Sequence, residues 1–197
     1  MTISKEIELR LGFVQEVDKL KQIMRRSHLF DGSRLENTAE HSWHIALMAI
    51  VFAPHACAGV NLERVLGMLL VHDLVEIDAG DTFAFDIEGM KSKVQREQVA
   101  ADRIFGLLPS DTGNYLRGLF DEFESADSAE ANFARALDRL APLLANKNNQ
   151  GGTWKAHQIC EAQVRARMDP IRIGIPALWP FVEQVIGVAM SRGEIAP

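Results

Sequence analysis

His72 and Asp73 stand side by side inside the apolar run Val65–Val75, where polar side chains are costly to bury unless something compensates them. A divalent cation compensates both. Two further polar residues have the right chemistry to join them: His41, 31 positions before His72, and Asp138, 65 positions after Asp73. The order is H…HD…D. Two imidazoles and two carboxylates suit a borderline-to-hard ion such as Mn, Co, Fe, Ni, Zn or Mg. Four protein ligands on an octahedral ion leave two positions open, the arrangement of a catalytic centre rather than a closed structural one.

Two acidic residues follow. Glu76 is four residues from His72 and three from Asp73, so a helix would place it on their face. Asp81 comes just after Gly80. Carboxylates left over beside a metal can position or deprotonate a water, or protonate a leaving group. A plainer reading stands beside this one. His41 could simply open a helix, Asp138 could pair with Arg135 or Arg139 at the surface, and Glu76 to Asp81 could be a solvated helix end.

The elements that must carry these residues read as helices nearly throughout. Apolar residues recur at helical spacing in Phe13–Val17–Leu20–Met24, in Trp43–Leu47–Ile50, in Leu116–Leu119–Phe120–Phe123, in Phe133–Leu137–Leu140–Leu144 and in Leu178–Phe181–Val182–Val185–Ile186. The pattern predicts an all-α fold of about eight helices, near 4–26, 38–57, 62–78, 90–107, 110–124, 129–147, 153–169 and 177–192. His41, His72–Asp73 and Asp138 then sit on three different helices around a central metal site. Asn37 with Glu40 three residues later predicts a reciprocal N-cap. Gly80 and Gly151–Gly152 are helix stops. Pro142 cannot donate to the Asp138 carbonyl, so it either bends that helix or starts a new one. The segment 81–89 is the irregular stretch best placed to cover the site. No linker or repeat divides residues 1–197, which predicts a single domain.

Composition narrows the function classes. Lys and Arg number 21 against 27 Asp and Glu, a net charge of −6, with no basic stripe. Binding to duplex nucleic acid is therefore not expected. No segment is long and apolar enough for a membrane span, and the opening residues lack the apolar core of a secretory signal. Cys57 and Cys160 are isolated, which predicts reduced, buried thiols in a cytoplasmic protein. The amphipathic terminal helices allow a homodimer.

Four stretches carry a family resemblance: ENTAEHSWHIALMA (36–49), HDLVEIDAGDT (72–82), ALDRLAPLLAN (136–146) and GGTW (151–154). The chain resembles the HD-domain metal-dependent phosphohydrolases, and within them the 5′-deoxynucleotidase-like branch, from about residue 9 to 169. The resemblance implies a helical HD-domain fold with His41, His72, Asp73 and Asp138 as ligands of one divalent ion. It credits Glu76 with water activation and ties Asp81 to catalysis and substrate contact; Thr82 beside it is a further candidate substrate contact. An arginine some fifteen residues before the first ligand orients the phosphate in this family. Arg26 has that spacing and Arg25 is one residue off. The implied substrate is a nucleoside 5′-monophosphate, deoxy in this branch, or a similar small phosphate ester. Hydrolysis of a nucleoside triphosphate or cyclic nucleotide, or a metal-stabilised protein without turnover, are the competing readings. Two departures bear on sugar and base recognition: the stretch from Asp81 to Arg96 is longer and lacks the family's proline turn, and Ser27 stands where an aromatic follows the phosphate arginine.

His44 is expected behind the site rather than on the ion. His28, His55 and His157 are expected at the surface and Trp154 in packing. Lys91 and Lys93 could each reach an anion or simply face solvent.

Overall fold

The computed structural model describes residues 3–196. The first helix, α1 (Lys5–Val17), starts on the Ser4 side chain, which accepts from Ile7 N–H. It does not run to residue 26. A 3-10 turn over Asp18–Gln22 intervenes, and Met24–His28 forms a strand, β1, antiparallel to β2 (Leu35–Asn37). Met24 fits the helical spacing but lies exposed, while Leu20 is buried. Pairing with a distant segment overrides the local period here, and strands this short leave no alternating pattern to read.

The eight predicted helices are all present, two of them divided. Helix α2 (Thr38–Phe52) begins with the expected cap: Glu40 N–H donates to Asn37 Oδ1 at 3.0 Å, and Asn37 N–H donates to Glu40 Oε1 at 2.7 Å. Helix α3 (Leu62–Val71) stops at His72, and a one-turn helix, α4 (Glu76–Ala79), follows. Then come α5 (Ile87–Phe105), α6 (Ser110–Ser125) and α7 (Ala129–Asn148). Beyond Gly151, which takes φ +90°, the predicted helix near 153–169 splits into α8 (Gly152–Ala156) and α9 (Glu161–Gly174), because Gln158 adopts a positive φ. Helix α10 (Trp179–Ser191) is the last.

Helix α7 is the axis of the core. It buries Phe133, Leu137, Leu140 and Leu143 against α2, α3, α6 and α9. Its tightest neighbour is α9, where a Cβ at Gly174 would lie 2.2 Å from the Asn132 carbonyl oxygen. Only a residue without a side chain allows that approach. Helix α7 continues through Pro142, so no new helix starts there.

The α2 stripe is the largest departure from the periodicity. Trp43, Leu47 and Ile50 face outward, Trp43 with 63% of its surface exposed. The inward face carries His41, Ser42, Ile45, Ala46, Met48 and Ala49. Cys57 is likewise exposed rather than buried, and Cys160 is half-buried; both are free. No described helix is long and apolar enough to cross a membrane.

Candidate metal centre and its cavity

The three chain segments expected at a metal meet beside α7. His41 comes from the first turn of α2 and is fully buried. His72 and Asp73 do not lie on a continuous helix. They occupy the turn between α3 and α4, tightened by Leu74 N–H to the Val71 carbonyl (3.1 Å) and Glu76 N–H to the Asp73 carbonyl (3.0 Å). That turn draws the two side chains together, with His72 Nε2 3.1 Å from Asp73 Oδ2. Ligand atoms of His41, His72 and Asp73 all lie within 4.8 Å of one another. Asp138, from the buried face of α7, brings Oδ1 to 3.0 Å from His41 Nε2 and 4.0 Å from His72 Nε2.

One imidazole is aimed from behind by a hydrogen bond. His72 Nδ1 is 3.0 Å from the Leu69 carbonyl oxygen, a contact that places the proton on Nδ1 and the lone pair on Nε2. That Nε2 is buried and makes no hydrogen bond. Behind His41, Glu36 Oε2 lies 3.3 Å from Nδ1 and leaves Nε2 turned to the centre. A buried, unpartnered imidazole nitrogen among two carboxylates and a second imidazole is the donor set a divalent cation fits.

The electrostatics agree. Burial alone would push the Asp73 carboxyl up, but the neighbouring His72 and Arg25 charges hold it far below the usual carboxylate range. Asp138 is likewise held well down, against its burial, by Arg139, His41 and His72. Burial pushes His72 the other way, toward the neutral form, and the two aspartates more than offset it, so His72 is raised. A proton and a metal cation compete for the same lone pair.

Beside this cluster opens a cavity of about 210 Å³. Glu76 and Asp81 both line it. Glu76 is buried at the start of α4, where Thr38 Oγ1 donates to its Oε2 at 2.9 Å. Burial, then the Asp73 charge, pushes Glu76 well above its ordinary value. Asp81 follows Gly80, whose φ of +72° turns the chain back toward the cavity. Burial raises Asp81 too, though Arg25 opposes the shift. Thr82 is also on the wall, with its Oγ1 accepting from Arg96 Nη2 at 2.9 Å. Arg96 additionally holds the Ala79 and Gly89 carbonyls, so it clamps the 80–89 loop from α5.

The two candidate arginines exchange places. Alternation along β1 turns Arg25 inward, where Nη1 donates to Asp73 Oδ2 at 3.1 Å and Nε lies 3.4 Å from Glu36. Arg26 is exposed at the cavity border. The fifteen-residue spacing favours Arg26; a strand in place of the expected helix turns Arg25, and not Arg26, toward Asp73.

A model of the HD domain family matches residues 17–179. The chain belongs to the HD-domain family. Among curated HD-domain relatives, the human 5′-deoxynucleotidase HDDC2 is 33% identical over 68% of this chain, which spans 65% of that protein's length. The 5′-deoxynucleotidase hdd1 of Schizosaccharomyces pombe is 25% identical over 93% of this chain and 98% of its own. A crystal structure of a predicted metal-dependent phosphohydrolase from Magnetospirillum magnetotacticum MS-1 superimposes with a TM-score of 0.93. It is 46% identical and matches 98% of this chain and 96% of that one.

Several residues of this HD-domain site escape a reading by residue type. Glu36 lies behind His41 without a hydrogen bond to it, Arg139 pairs with Asp138, and Arg135 and Arg167 stand on the cavity wall. Arg139 was visible only as a surface partner for Asp138; Asp138 is in fact buried and Arg139 half-buried. His44 takes no part, lying between Phe30 (5.1 Å) and Trp43 (6.0 Å). His157 is exposed but rests 4.6 Å from the Phe83 ring. Trp154 is both packing and cavity wall. Lys93 reaches the cavity, yet pairs with Glu97, while Lys91 pairs with Glu88 in solvent.

Proposed function

We propose that this protein is a divalent-metal-dependent phosphohydrolase that releases inorganic phosphate from a nucleoside 5′-monophosphate, the deoxy form first. The observation that carries the proposal is the buried, unpartnered His72 Nε2 among His41, Asp73 and Asp138, with two further carboxylates on the adjoining cavity wall. A purely structural ion needs neither Glu76 nor Asp81. The HD-domain relatives named 5′-deoxynucleotidases support the substrate class.

His41, His72, Asp73 and Asp138 would hold the ion, and a bound ion supplies Lewis acidity toward a phosphoryl oxygen. Arg25, buried and permanently charged, is the residue that grips non-bridging phosphate oxygens. Glu76, its carboxylate fixed by Thr38, takes the proton from the attacking water. The water oxygen bonds to phosphorus, the ester P–O bond breaks, and the leaving alkoxide takes a proton from Asp81. Thr82 and Arg96 set the loop that presents Asp81 to the substrate.

A second copy of the chain is the partner this reading assigns to the exposed Trp43, Leu47, Ile50 and Val51 face of α2. Sedimentation of the wild type against Trp43→Glu tests it: a dimer is expected to become a monomer. Two free thiols fit a reducing compartment, the cytoplasm.

The activity is tested by phosphate release from ribo- and deoxynucleoside 5′-monophosphates with Mn, Co or Mg. Release that depends on metal and fails for Asp73→Asn is expected. No release above the metal-only control, with any of the three ions, would refute it.

A further inference from the structure

Among the described residues, three arginines on the cavity wall, Arg26, Arg135 and Arg167, have no carboxylate partner, and Arg26 is exposed at the border. Arg167, on α9, makes no hydrogen bond or ion pair among the described residues, yet its side chain lines the cavity. The other half-buried arginines of the site differ. Arg25 is matched by Asp73 and Glu36, and Arg139 by Asp138. Arg135, one helical turn before Asp138 on α7, is tied only to a backbone carbonyl, that of Glu124, at 3.2 Å. Helices α7 and α9 pack directly, so Arg135, Arg139 and Arg167 converge on one wall.

The cost of this arrangement is legible in Arg167 itself. Burial first, then the charges of Arg139, Arg25 and Arg135, pull it down to about 9, while Asp138 alone pulls it back. Asp138 is already engaged by His41 and Arg139. Half-buried guanidinium groups gathered on one cavity wall repel one another, and an anion that joins them relieves the repulsion. Arg25, on β1, accounts for one phosphate. On the α7–α9 wall Arg139 is engaged by Asp138, while Arg135 and Arg167 have no part in the reaction assigned to the site.

We infer that Arg167, with Arg135 and Arg139, binds a second phosphate group on the substrate, so that the site favours nucleotides carrying two phosphates over simple 5′-monophosphates. This rests on the phosphohydrolase reading only for where the reacting phosphate sits. The second group can extend the 5′ phosphate chain or hang from the sugar 3′ position; planar guanidinium forks recognise either.

The test is equilibrium binding by calorimetry at fixed ionic strength on the metal-free protein, where no turnover occurs. Three probes are compared: deoxyadenosine 5′-monophosphate, the 5′-diphosphate and the 3′,5′-bisphosphate. At least one doubly phosphorylated probe is expected to bind ten times more tightly than the monophosphate, and which one does so locates the second group. Arg167→Gln should cut that ratio at least fivefold, and Arg167→Lys should retain more of it. Equal affinity for all three probes in the wild type overturns the inference without recourse to any variant. A ratio unchanged in Arg167→Gln overturns it as well. If the preference holds but no nucleotide releases phosphate when metal is supplied, the phosphohydrolase reading fails and the second-phosphate site stands.

Discussion

Glu76→Gln separates chemistry from stability in one substitution. The glutamine keeps the shape and can still accept from Thr38 Oγ1, now 2.9 Å from the carboxylate, but it cannot take a proton from water. Loss of a general base costs about 10²–10⁴ in rate, so kcat should fall by that range while metal content stays near stoichiometric. Stability should move the other way. Glu76 is buried, and burial together with Asp73 raises its carboxyl well above the ordinary 4.5. The folded metal-free protein therefore holds this proton more tightly than the unfolded chain does. Below about pH 4.5 both states are protonated and the shift contributes its full stability. As pH rises toward the folded value, that stability drains at up to about 1.4 kcal/mol per pH unit. Glutamine removes the drain. Metal-free Glu76→Gln should thus melt above wild type at pH 7, by about 2–4 °C for each kcal/mol recovered, and the gap should close toward pH 5. Melting curves across pH 5–7 and single-turnover phosphate release are the assays. A gap that does not change with pH refutes the burial argument. A rate within twofold of wild type refutes Glu76 as the base.

Three further outcomes follow from the same geometry. Asp73→Asn removes a ligand charge and also leaves Arg25 without its partner, so metal affinity should drop at least about 100-fold by metal analysis after dialysis. Arg25→Lys should lower kcat/KM at least about tenfold, since an ammonium cannot reproduce the guanidinium fork, with a smaller loss for the exposed Arg26→Lys; the reverse order would restore Arg26 as the phosphate residue. Gly174→Ala forces a methyl against the Asn132 carbonyl and should cost about 1–3 kcal/mol, read as a Tm lowered by several degrees; an unchanged Tm would mean that α7 and α9 separate freely.

The polar residues that meet at the candidate metal centre were legible in the sequence because their chemistry is local. A histidine and an aspartate beside apolar residues must be compensated wherever the chain runs, and His41 and Asp138 are buried for the same reason. The helices were legible where one face is apolar and the caps are explicit, as at Asn37 and Glu40. Facing is a different matter. The Trp43–Leu47–Ile50 stripe has helical period yet points outward, because periodicity marks a stripe without saying which neighbour covers it. Pairing of β1 with β2 lies beyond any local window, and it alone decides that Arg25 faces Asp73 while Arg26 faces out. Residues that act through others were hidden for the same reason. Glu36 behind His41, Arg139 against Asp138 and the uncompensated Arg167 carry no spacing of their own. Their roles come from the packing of β1, α2, α7 and α9 around one cavity. The sequence determined which groups need a partner, and the tertiary structure decided which group each one meets, because burial and charge act through distances that chain separation does not set.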